Sequence, residues 1–391
     1  MVFLKMRSSK TALLLLFTLF FFSCATQVPV TELGIEAEKP AAALLPDYLT
    51  IVAAGDNLYS AVMVRAGEEG NYGSAYDEIR PLIEKADIAF INQETLLAGA
   101  EFGFSGYPSF NSPCGLGRAI SAAGFNVVNQ ATNHIMDKGE KAVFATMNFW
   151  DSIPGVTVLG IHRSEEQRRL PALVEKNNIK VGFLGYTYGT NNKPVPADKP
   201  YLVSLINTET MAEEIDALRP LCDFLVVSMH WGEEYQSRYD EKQKELAAFL
   251  AQHRVDLVIG HHPHVIQPVE NIARPDGGTM LCYYSLGNLI SSQAQNPALL
   301  GALAYIRIEK LPARPGEAAC ISVREAGAIP LVTHYEKNFT GFKVYPLYAY
   351  SGALLEKHWK NREKKELTMD YLTNLATTSL GGREIQQDPF D

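Results

Sequence analysis

Histidines in one central stretch of the chain have the residue types and the spacing of metal ligands. His230 ends one apolar segment, and the string His261-His262-Pro263-His264 follows another. Imidazole nitrogens are common ligands of divalent transition metals. In an extended chain, residues two apart point the same way, so we expect His262 and His264 to share a face, with His261 opposed to them. A site that also includes His230 requires the two segments to end side by side.

The two segments are predicted to be neighbouring parallel strands. Phe224–Val227 and Val255–Ile259 are short and apolar without alternation, as in strands that are buried on both faces of a sheet. Asp240–His253, between them, has apolar residues at helical spacing. A strand-helix-strand crossover is almost always right-handed and makes its two strands parallel. Open α/β sheets bind ligands outside the carboxyl ends of their strands, so this edge is the expected position of the site.

Polar side chains also follow the strands that we predict in the N-terminal half of the chain. Asp56 follows a strand at 48–54, Glu94 one at 87–91 and Asn133 one at 126–129. A single Asp or Asn at such a position is more often a helix N-cap, but six ligand-type side chains at consecutive strand ends indicate a metal site. The candidate ligands are Asp56, Glu94, Asn133, His230, His262 and His264. Their mixture of carboxylate, amide and imidazole suits one or two ions of Mn, Fe or Zn.

Five further residues are predicted to contact a substrate. Arg163, just after a strand at 156–159, either reaches an anionic ligand or is solvated. Tyr188 and Asn191, after an apolar strand at 181–186, either line a cleft or pack their own loop. Asn288 either offers an amide to the pocket or shapes a turn, and Glu234 follows His230 in the same loop.

The composition is that of an ordinary globular protein. The chain has 391 residues, of which 47% are hydrophobic and 20% charged. Lys and Arg total 35 against 44 Asp and Glu, a formal net charge of −9. Because no dense basic block is present, a nucleic-acid partner is not expected.

The N-terminus predicts export and a membrane tether. Three basic residues precede an uncharged apolar stretch, 11–22, which has the length of a secretory signal core. The sequence Phe21-Phe22-Ser23-Cys24 resembles a bacterial lipoprotein cleavage site, with Cys24 as the lipid-bearing residue. The alternative is an uncleaved anchor helix. Cleavage before Cys24 would move the formal charge from −9 to −12.

The remainder of the chain divides into three predicted parts. Residues 25–46 form a tether rich in Glu, Pro and Ala, 47–348 form the globular domain, and 349–391 form a helical segment. That segment contains a predicted charged amphipathic helix, Leu354–Ala376, and strands at 302–308, 321–325 and 342–345 close the domain in an antiparallel arrangement. Outside the cytoplasm, the four cysteines Cys114, Cys222, Cys282 and Cys320 form up to two disulfides or remain buried thiols.

The chain resembles the CapA family of capsule or poly-gamma-glutamate synthesis proteins, within the calcineurin-like metallophosphoesterase superfamily. The resemblance runs from about Leu49 to Ile290. The matching motifs are Gly55-Asp56, Asn92-Gln93-Glu94, Ala131-Thr132-Asn133-His134 with Asp137 and Gly139, His230-Trp231-Gly232 with Glu234-Tyr235, Gly260-His261-His262-Pro263-His264, and Tyr284-Ser285-Leu286-Gly287-Asn288. It implies an α/β fold, a four-layer α/β/β/α sandwich of the metallo-dependent phosphatase type.

The resemblance also implies roles for individual residues. The six candidate ligands would hold the metal, and His134 would be the catalytic acid that protonates the leaving oxygen. Two positions depart from the superfamily pattern. Leu58 stands where a histidine ligand is usual, and Glu94 stands where the bridging carboxylate is usually Asp.

Three functions from different classes follow from these observations. The first is a lipid-anchored participant in capsule or poly-gamma-glutamate synthesis or export, in contact with the anionic polymer and its synthesis machinery. The second is a metal-dependent phosphoesterase or related hydrolase with an extracytoplasmic substrate. The third is a non-catalytic envelope module. Activity is left open between them, with the site favouring a metal-dependent hydrolase.

Overall fold

Two mixed β-sheets form the centre of the structure, a computed structural model that describes residues 45–68, 71–312, 320–361 and 367–391. The strands are β1 Asp47–Asn57, β2 Ile88–Gln93, β3 Val127–Asn129, β4 Thr157–Leu159, β5 Ala172–Lys176, β6 Ile179–Thr187, β7 Phe224–His230, β8 Leu257–His261, β9 Val269–Ala273, β10 Thr279–Tyr283, β11 Asn288–Ile290, β12 Leu300–Leu311, β13 Cys320–Glu336 and β14 Thr340–Pro346. The α-helices are α1 Ala61–Glu68, α2 Arg80–Glu84, α3 Cys114–Ala122, α4 Glu140–Asp151, α5 Glu165–Arg168, α6 Thr208–Leu218, α7 Glu241–Gln252, α8 Gly352–Lys357 and α9 Met369–Leu380.

The predicted signal peptide and its Cys24 lie outside the described residues, as does the tether up to residue 44. The apolar stretch 11–22, the alternative anchor helix, lies there too. Within the described ranges, no helix has both the length and the apolar composition needed to cross a membrane.

Each sheet combines parallel and antiparallel pairs. The larger sheet has the order β14-β13-β12-β1-β2-β3-β4, with β11 also paired to β1, and the smaller one has the order β5-β6-β7-β8-β10-β9. Strands β1 to β4 run parallel, as do β6, β7, β8 and β10. The predicted antiparallel closing section is confirmed by the pairing of β12 with β13 and of β13 with β14. The chain is therefore mixed α/β with two mixed sheets.

The central parallel strands lack polar alternation because both of their faces are buried. In β1, Ile51 belongs to the core between the sheets, whereas Val52 belongs to a second core that includes residues of α1, α2 and α3. In β7, Val226 faces the core between the sheets, and Val227 packs with α6 and α7. Successive side chains of a strand point to opposite faces, so an uninterrupted apolar run serves both cores.

The predicted crossover in the middle of the chain is confirmed. β7 and β8 are parallel neighbours joined by α7, and His230 is in register with His261. Asp240 caps α7 by accepting a hydrogen bond from the Gln243 backbone N–H, and the Gln243 side chain accepts one from the Asp240 N–H. Burial of Leu250 and other residues on one helix face packs α7 against the smaller sheet. The crossover brings the ends of β7 and β8 together.

The single C-terminal helix predicted from Leu354 to Ala376 is wrong. Helix α8 ends at Lys357, because His358 leaves the helical conformation, with φ −57° and ψ 130°. Its buried ring lies with Nε2 3.1 Å from the Thr333 carbonyl oxygen of β13. Helix α9 then begins at Met369, and its Leu372, Ala376 and Leu380 join the core between the sheets. This helix thus contributes to the core between the sheets.

Residues 74–85 likewise do not form one continuous helix. The structure has a short 3₁₀ turn, Tyr72–Tyr76, followed by the separate helix α2, with Pro81 in its first turn. Proline is favoured at that position because the backbone N–H groups in the first turn of a helix have no partner within the helix.

The thiols of Cys114, Cys222, Cys282 and Cys320 are all free, so no disulfide joins them.

Candidate metal centre

The six predicted ligands meet at the carboxyl ends of the parallel strands. Asp56 lies near the end of β1, Glu94 directly follows β2, and His230 is the last residue of β7. Asn133 follows β3, and His262 and His264 follow β8. All six side chains are buried, with at most 4% of any residue exposed. Residues far apart in the sequence therefore share one enclosed space.

Short distances join these six residues. Asp56 Oδ2 lies 3.0 Å from His264 Nδ1, and Asn133 Oδ1 lies 2.9 Å from His230 Nε2. Glu94 Oε1 is 3.8 Å from His230 Nε2 and 3.8 Å from His264 Nε2. Two groups with ligand atoms within 4.8 Å of one another share Glu94, namely Asp56-Glu94-His264 and Glu94-His230-His262. The Glu94 carboxylate thus lies between two sets of donors.

Glu94 provides the test of whether the residues fit a metal ion. Both of its carboxylate oxygens are fully buried and lack a hydrogen-bond partner among the described residues. Leaving a buried polar group unsatisfied costs about 1–3 kcal/mol, so native structures rarely contain one without a reason. A divalent cation would satisfy both oxygens and would also accept the lone pairs of the adjacent imidazoles. The donor set fits a metal ion.

The electrostatics of the carboxylates and His264 also favour positive charge at the cluster. Burial raises the pKa of Glu94 well above its usual value, and the charge of His264 offsets only part of this effect. For Asp56, burial opposes ionisation, but the hydrogen bond and charge of His264 outweigh it and lower the pKa. Burial disfavours charge on His264, yet attraction to Glu94 and Asp56 raises its pKa to about 9. A proton on His264 thus places positive charge beside the two carboxylates, and a divalent metal ion would place a larger positive charge there.

The other two histidine ligands are neutral. Burial is the main cause that lowers the pKa of His230 well below its usual value and that of His262 to about 3. A neutral imidazole keeps a lone pair, which is the form that binds a metal. The Nδ1 atom of His262 is buried without a hydrogen-bond partner. Both rings are therefore available as ligands at neutral pH.

Amide side chains around the cluster fix the ligands in place. Asn92 Nδ2 donates to Asp56 Oδ1 over 2.8 Å, and Asn129 Nδ2 donates in turn to Asn92 Oδ1 over 2.8 Å. Asn288 Oδ1 lies 3.1 Å from His264 Nδ1. Because Nδ1 of His264 contacts two oxygen acceptors, Nε2 is the nitrogen left to bind an ion. Asn288 thus orients a ligand, and sequence reasoning missed the role of Asn92 and Asn129.

A turn after β8, and not alternation along an extended strand, brings His262 and His264 to the cluster. β8 ends at His261, and both His262 (φ 96°) and His264 (φ 60°) have left-handed backbone conformations. The backbone N–H of His262 donates to Asp56 Oδ2 over 3.2 Å, which holds this turn against β1. A Cβ at Gly260 would lie 1.9 Å from the Tyr284 carbonyl oxygen, so only glycine fits the close approach there.

His261 also faces the cluster, in contrast to the sequence expectation. Its Nδ1 lies 3.6 Å from Asp56 Oδ1, and its ring stacks on Phe90 with centroids 5.6 Å apart. Burial lowers its pKa to about 4. Neither ring nitrogen has a hydrogen-bond partner among the described residues. His261 therefore packs as a neutral ring beneath Asp56.

His134, the predicted catalytic acid, lies beside the cluster. Its Nδ1 is 2.8 Å from Asp137 Oδ2, which also accepts a hydrogen bond from the Phe110 backbone N–H over 2.7 Å. The Phe110 ring packs edge-on against His134 at 4.5 Å, and Asn191 Nδ2 lies 3.2 Å from His134 Nδ1. Asp137 thus fixes the ring and leaves Nε2 for a substrate oxygen.

Three of the predicted substrate contacts lie at the rim of the cluster. The exposed Tyr188 ring is 4.6 Å from the His262 ring, and the Tyr188 hydroxyl lies 3.5 Å from Asn191 Oδ1. Asn191 Oδ1 also accepts from Asn133 Nδ2 over 3.3 Å. Glu234 is exposed and forms a third group with His262 and His264. All three residues are exposed to solvent, so they mark the solvent side of the cluster.

Arg163 is the exception, and its predicted contact with a substrate is not supported by its position. Its Nη2 donates to Asn148 Oδ1 over 2.9 Å and forms an ion pair with Asp151, and both partners belong to α4. Within the described ranges, no hydrogen bond or ion pair joins Arg163 to the cluster. At the first strand exit, Leu58 is buried and apolar, as the sequence indicated, and offers no donor.

The fold and the site together define a mixed α/β protein with a candidate metal centre at its strand ends. The sequence profile described as "Bacterial capsule synthesis protein PGA_cap" matches residues 50–293, more than half of the chain. The chain belongs to this family.

Named relatives agree with that assignment over part of their length. The chain is similar to "PGA biosynthesis protein CapA" of Bacillus subtilis (strain 168), with 26% identity over 224 residues, covering 55% of this chain and 55% of the relative. It is also similar to "Capsule biosynthesis protein CapA" of Bacillus anthracis, with 25% identity over 226 residues, covering 56% and 53%. The chain thus matches about half the length of these relatives.

Among solved structures, the chain is similar to a putative 5′-nucleotidase from Staphylococcus aureus in complex with alpha-ketoglutarate. The sequence identity is 11% and the TM-score 0.39, over 76% of this chain and 54% of that chain. A similarity at this level carries no inference about activity.

Proposed function

We propose that this chain is a divalent-metal-dependent hydrolase of the phosphoesterase type that acts in capsule or poly-gamma-glutamate synthesis. The observation that carries the proposal is the buried, unpartnered carboxylate of Glu94 between two sets of imidazole and carboxylate donors. The cores between and outside the two sheets support the four-layer metallophosphoesterase fold that the sequence resemblance implies. Membership of the PGA_cap family supports the biological context.

The six predicted ligands would hold one or two ions of Mn, Fe or Zn. Asp56, Glu94 and His264 would bind on one side, and Glu94, His230 and His262 on the other, with Asn133 beside His230. When bound, such an ion supplies an activated water and stabilises negative charge on the substrate oxygens.

Side chains around the ions complete the proposed chemistry. His134, oriented by Asp137, donates the proton that the leaving oxygen requires. Tyr188 and Asn191 lie at the solvent side of the cluster and position the substrate above the ligands. Because Asn191 contacts both His134 and Asn133, it couples the orientation of the acid to that of a ligand.

The electrostatics indicate how an anionic substrate would be held. The formal net charge of −9 repels a polyanion at long range, so binding must come from local contacts. The nearby cation Lys193 is already engaged, with its Nζ at 3.2 Å from Ser109 Oγ and at 4.0 Å from Asp137 Oδ1. Metal ions held by the cluster would therefore supply local attraction for an anionic group.

We further propose that the protein is an exported, membrane-anchored envelope lipoprotein. The apolar stretch 11–22 and the site at Cys24 support this location, and the anionic envelope polymer with its synthesis machinery is the proposed partner. Labelled fatty acid supplied to growing cells is expected to be incorporated into the wild-type protein and not into Cys24→Ser. A membrane-bound wild-type protein without the label would contradict lipid attachment at Cys24.

Turnover of an aryl phosphodiester by the Mn-loaded full chain tests the proposed activity. We expect metal-dependent turnover that is lost in His230→Ala and kept in His253→Ala, a control on the surface at the end of α7. Absence of turnover in a metal-loaded, folded sample would overturn the hydrolase proposal in favour of a non-catalytic envelope module. Equal turnover in His230→Ala would show that the activity arises elsewhere.

A further inference from the structure

An exposed carboxylate outside the six predicted ligands lies beside two of them. One oxygen of Glu234 and one ring nitrogen each of His262 and His264 all lie within 4.8 Å of one another. Glu234 is exposed to solvent, whereas both histidines are buried. Its position is therefore at the solvent side of the cluster.

The loop that carries Glu234 is fastened to the loop that carries the histidines. The backbone N–H of Tyr235 donates to the Pro263 carbonyl oxygen over 2.8 Å. The Tyr235 hydroxyl accepts from Gln293 Nε2 over 3.0 Å, and its ring lies 6.1 Å from that of His264. Because the residue after Glu234 is held at both its backbone and its ring, the Glu234 carboxylate remains near the histidines.

One further observation indicates that the Glu234 carboxylate faces a cation site. The buried Nδ1 of His262, a member of the same group, has no hydrogen-bond partner among the described residues. Buried polar atoms rarely lack a partner without a reason, and an ion beside Glu234 would supply one.

The two buried donor sets differ in how many ligands they contain. Glu94, His230 and His262 have Asn133 as a neighbour, because its Oδ1 lies 2.9 Å from His230 Nε2. The set of Asp56, Glu94 and His264 has three protein donors, so an ion held there has room for a further ligand from the solvent side. The Glu234 carboxylate, next to His264, is a donor on that side.

We propose that Glu234 is a further ligand of the metal centre, bound from the solvent side next to His262 and His264. The inference rests on the proposed metal centre and adds one residue to it. Water competes with an exposed carboxylate more effectively than with a buried one, so Glu234 binds the ion less tightly than the buried ligands do. Glu234 is also the ligand that an incoming anionic substrate group displaces most easily.

Calorimetric titration of the EDTA-treated full chain with Mn²⁺ tests the proposal without relying on activity. The variant Glu234→Gln keeps the shape of the side chain and removes its charge, and Glu233→Gln is the matched control, an exposed neighbour outside the three ligand groups. We expect Glu234→Gln to weaken one Mn²⁺ equivalent at least about ten-fold, while Glu233→Gln has no effect. Glu234→Asp, which keeps the charge, should recover part of the affinity.

The outcomes separate this inference from the proposed function. If the wild-type protein binds no Mn²⁺, the metal centre itself is wrong. If it binds Mn²⁺ and Glu234→Gln binds it equally well, only the role of Glu234 is wrong. If the wild-type protein takes up a single equivalent, the same comparison applies to that equivalent. Visible absorption of the Co²⁺ form provides a second readout, since loss of a ligand changes the coordination geometry and the spectrum.

Discussion

Replacing Glu94 by glutamine is expected to change the stability of the protein in opposite directions with and without metal. In the metal-free protein, both Glu94 oxygens are buried and unpartnered, and burial raises the pKa of this carboxyl group. A neutral amide removes the cost of burying the charge or of taking up a proton. The variant should therefore be more stable in EDTA, by on the order of 1–3 kcal/mol.

With metal present, the order of stabilities should reverse. An ion that binds only the folded wild-type protein stabilises it by about 2.7 kcal/mol at a concentration one hundred times the Kd. The glutamine variant lacks the carboxylate shared by the two donor sets and should lose most of this gain. The wild-type protein would then be the more stable of the two.

Urea denaturation at pH 7.5, in EDTA and in excess Mn²⁺, measures both differences. Glu214→Gln is a suitable control, because Glu214 is partly buried and its hydrogen-bond partners, Arg168 and Tyr186, are outside the group of candidate ligands. It accepts from Arg168 Nε over 2.6 Å and from the Tyr186 hydroxyl over 2.6 Å. This control should be destabilised equally in both conditions. If Glu94→Gln also shifts stability equally with and without Mn²⁺, Glu94 is not a ligand and the reasoning is refuted.

Three further predictions concern other residues. His134→Gln should lower turnover by about 100-fold or more without changing Mn²⁺ affinity in calorimetry, and loss of metal binding would instead place His134 among the ligands. Burial lowers the pKa of His334 and of His358 to about 4, so an unfolded chain binds more protons below pH 6.5. Stability of the EDTA-treated protein should accordingly fall as the pH drops from 6.5 towards 4, and a urea midpoint that stays constant over this range would contradict the assignment. Arg163→Ala should leave phosphodiester turnover unchanged, because Arg163 pairs with α4, whereas a large loss would return it to the substrate site.

The part of the site that depends on strand ends could be predicted from the sequence. Parallel strands buried on both faces give apolar runs without alternation, and the crossover fixes their ends on one edge. Asp56, Glu94 and His230 therefore meet as predicted, because the apolar pattern indicates the strand before each of them. The position of these residues follows from local pattern and from the handedness of the connections.

The part that depends on tertiary contacts could not be predicted in this way. Arg163 looks like a free cation in the sequence, and only the fold shows its ion pair with Asp151. His262 and His264 have left-handed backbones that no periodicity reveals, although Gly260 marks the close approach of β8 to its neighbour. The break at His358 accompanies its contact with the Thr333 carbonyl oxygen of β13. Apolar residues have helical spacing both before and after His358, so the sequence pattern predicts one continuous helix.

Elemental analysis of the purified full chain is the most direct test of the central claim, that the buried donors around Glu94 bind a divalent metal. The account predicts stoichiometric Mn, Fe or Zn, removed by EDTA and restored by adding the metal back. The Glu94→Gln variant purified in parallel should contain far less. A folded wild-type protein that contains none of these metals and takes up none from solution would contradict the account.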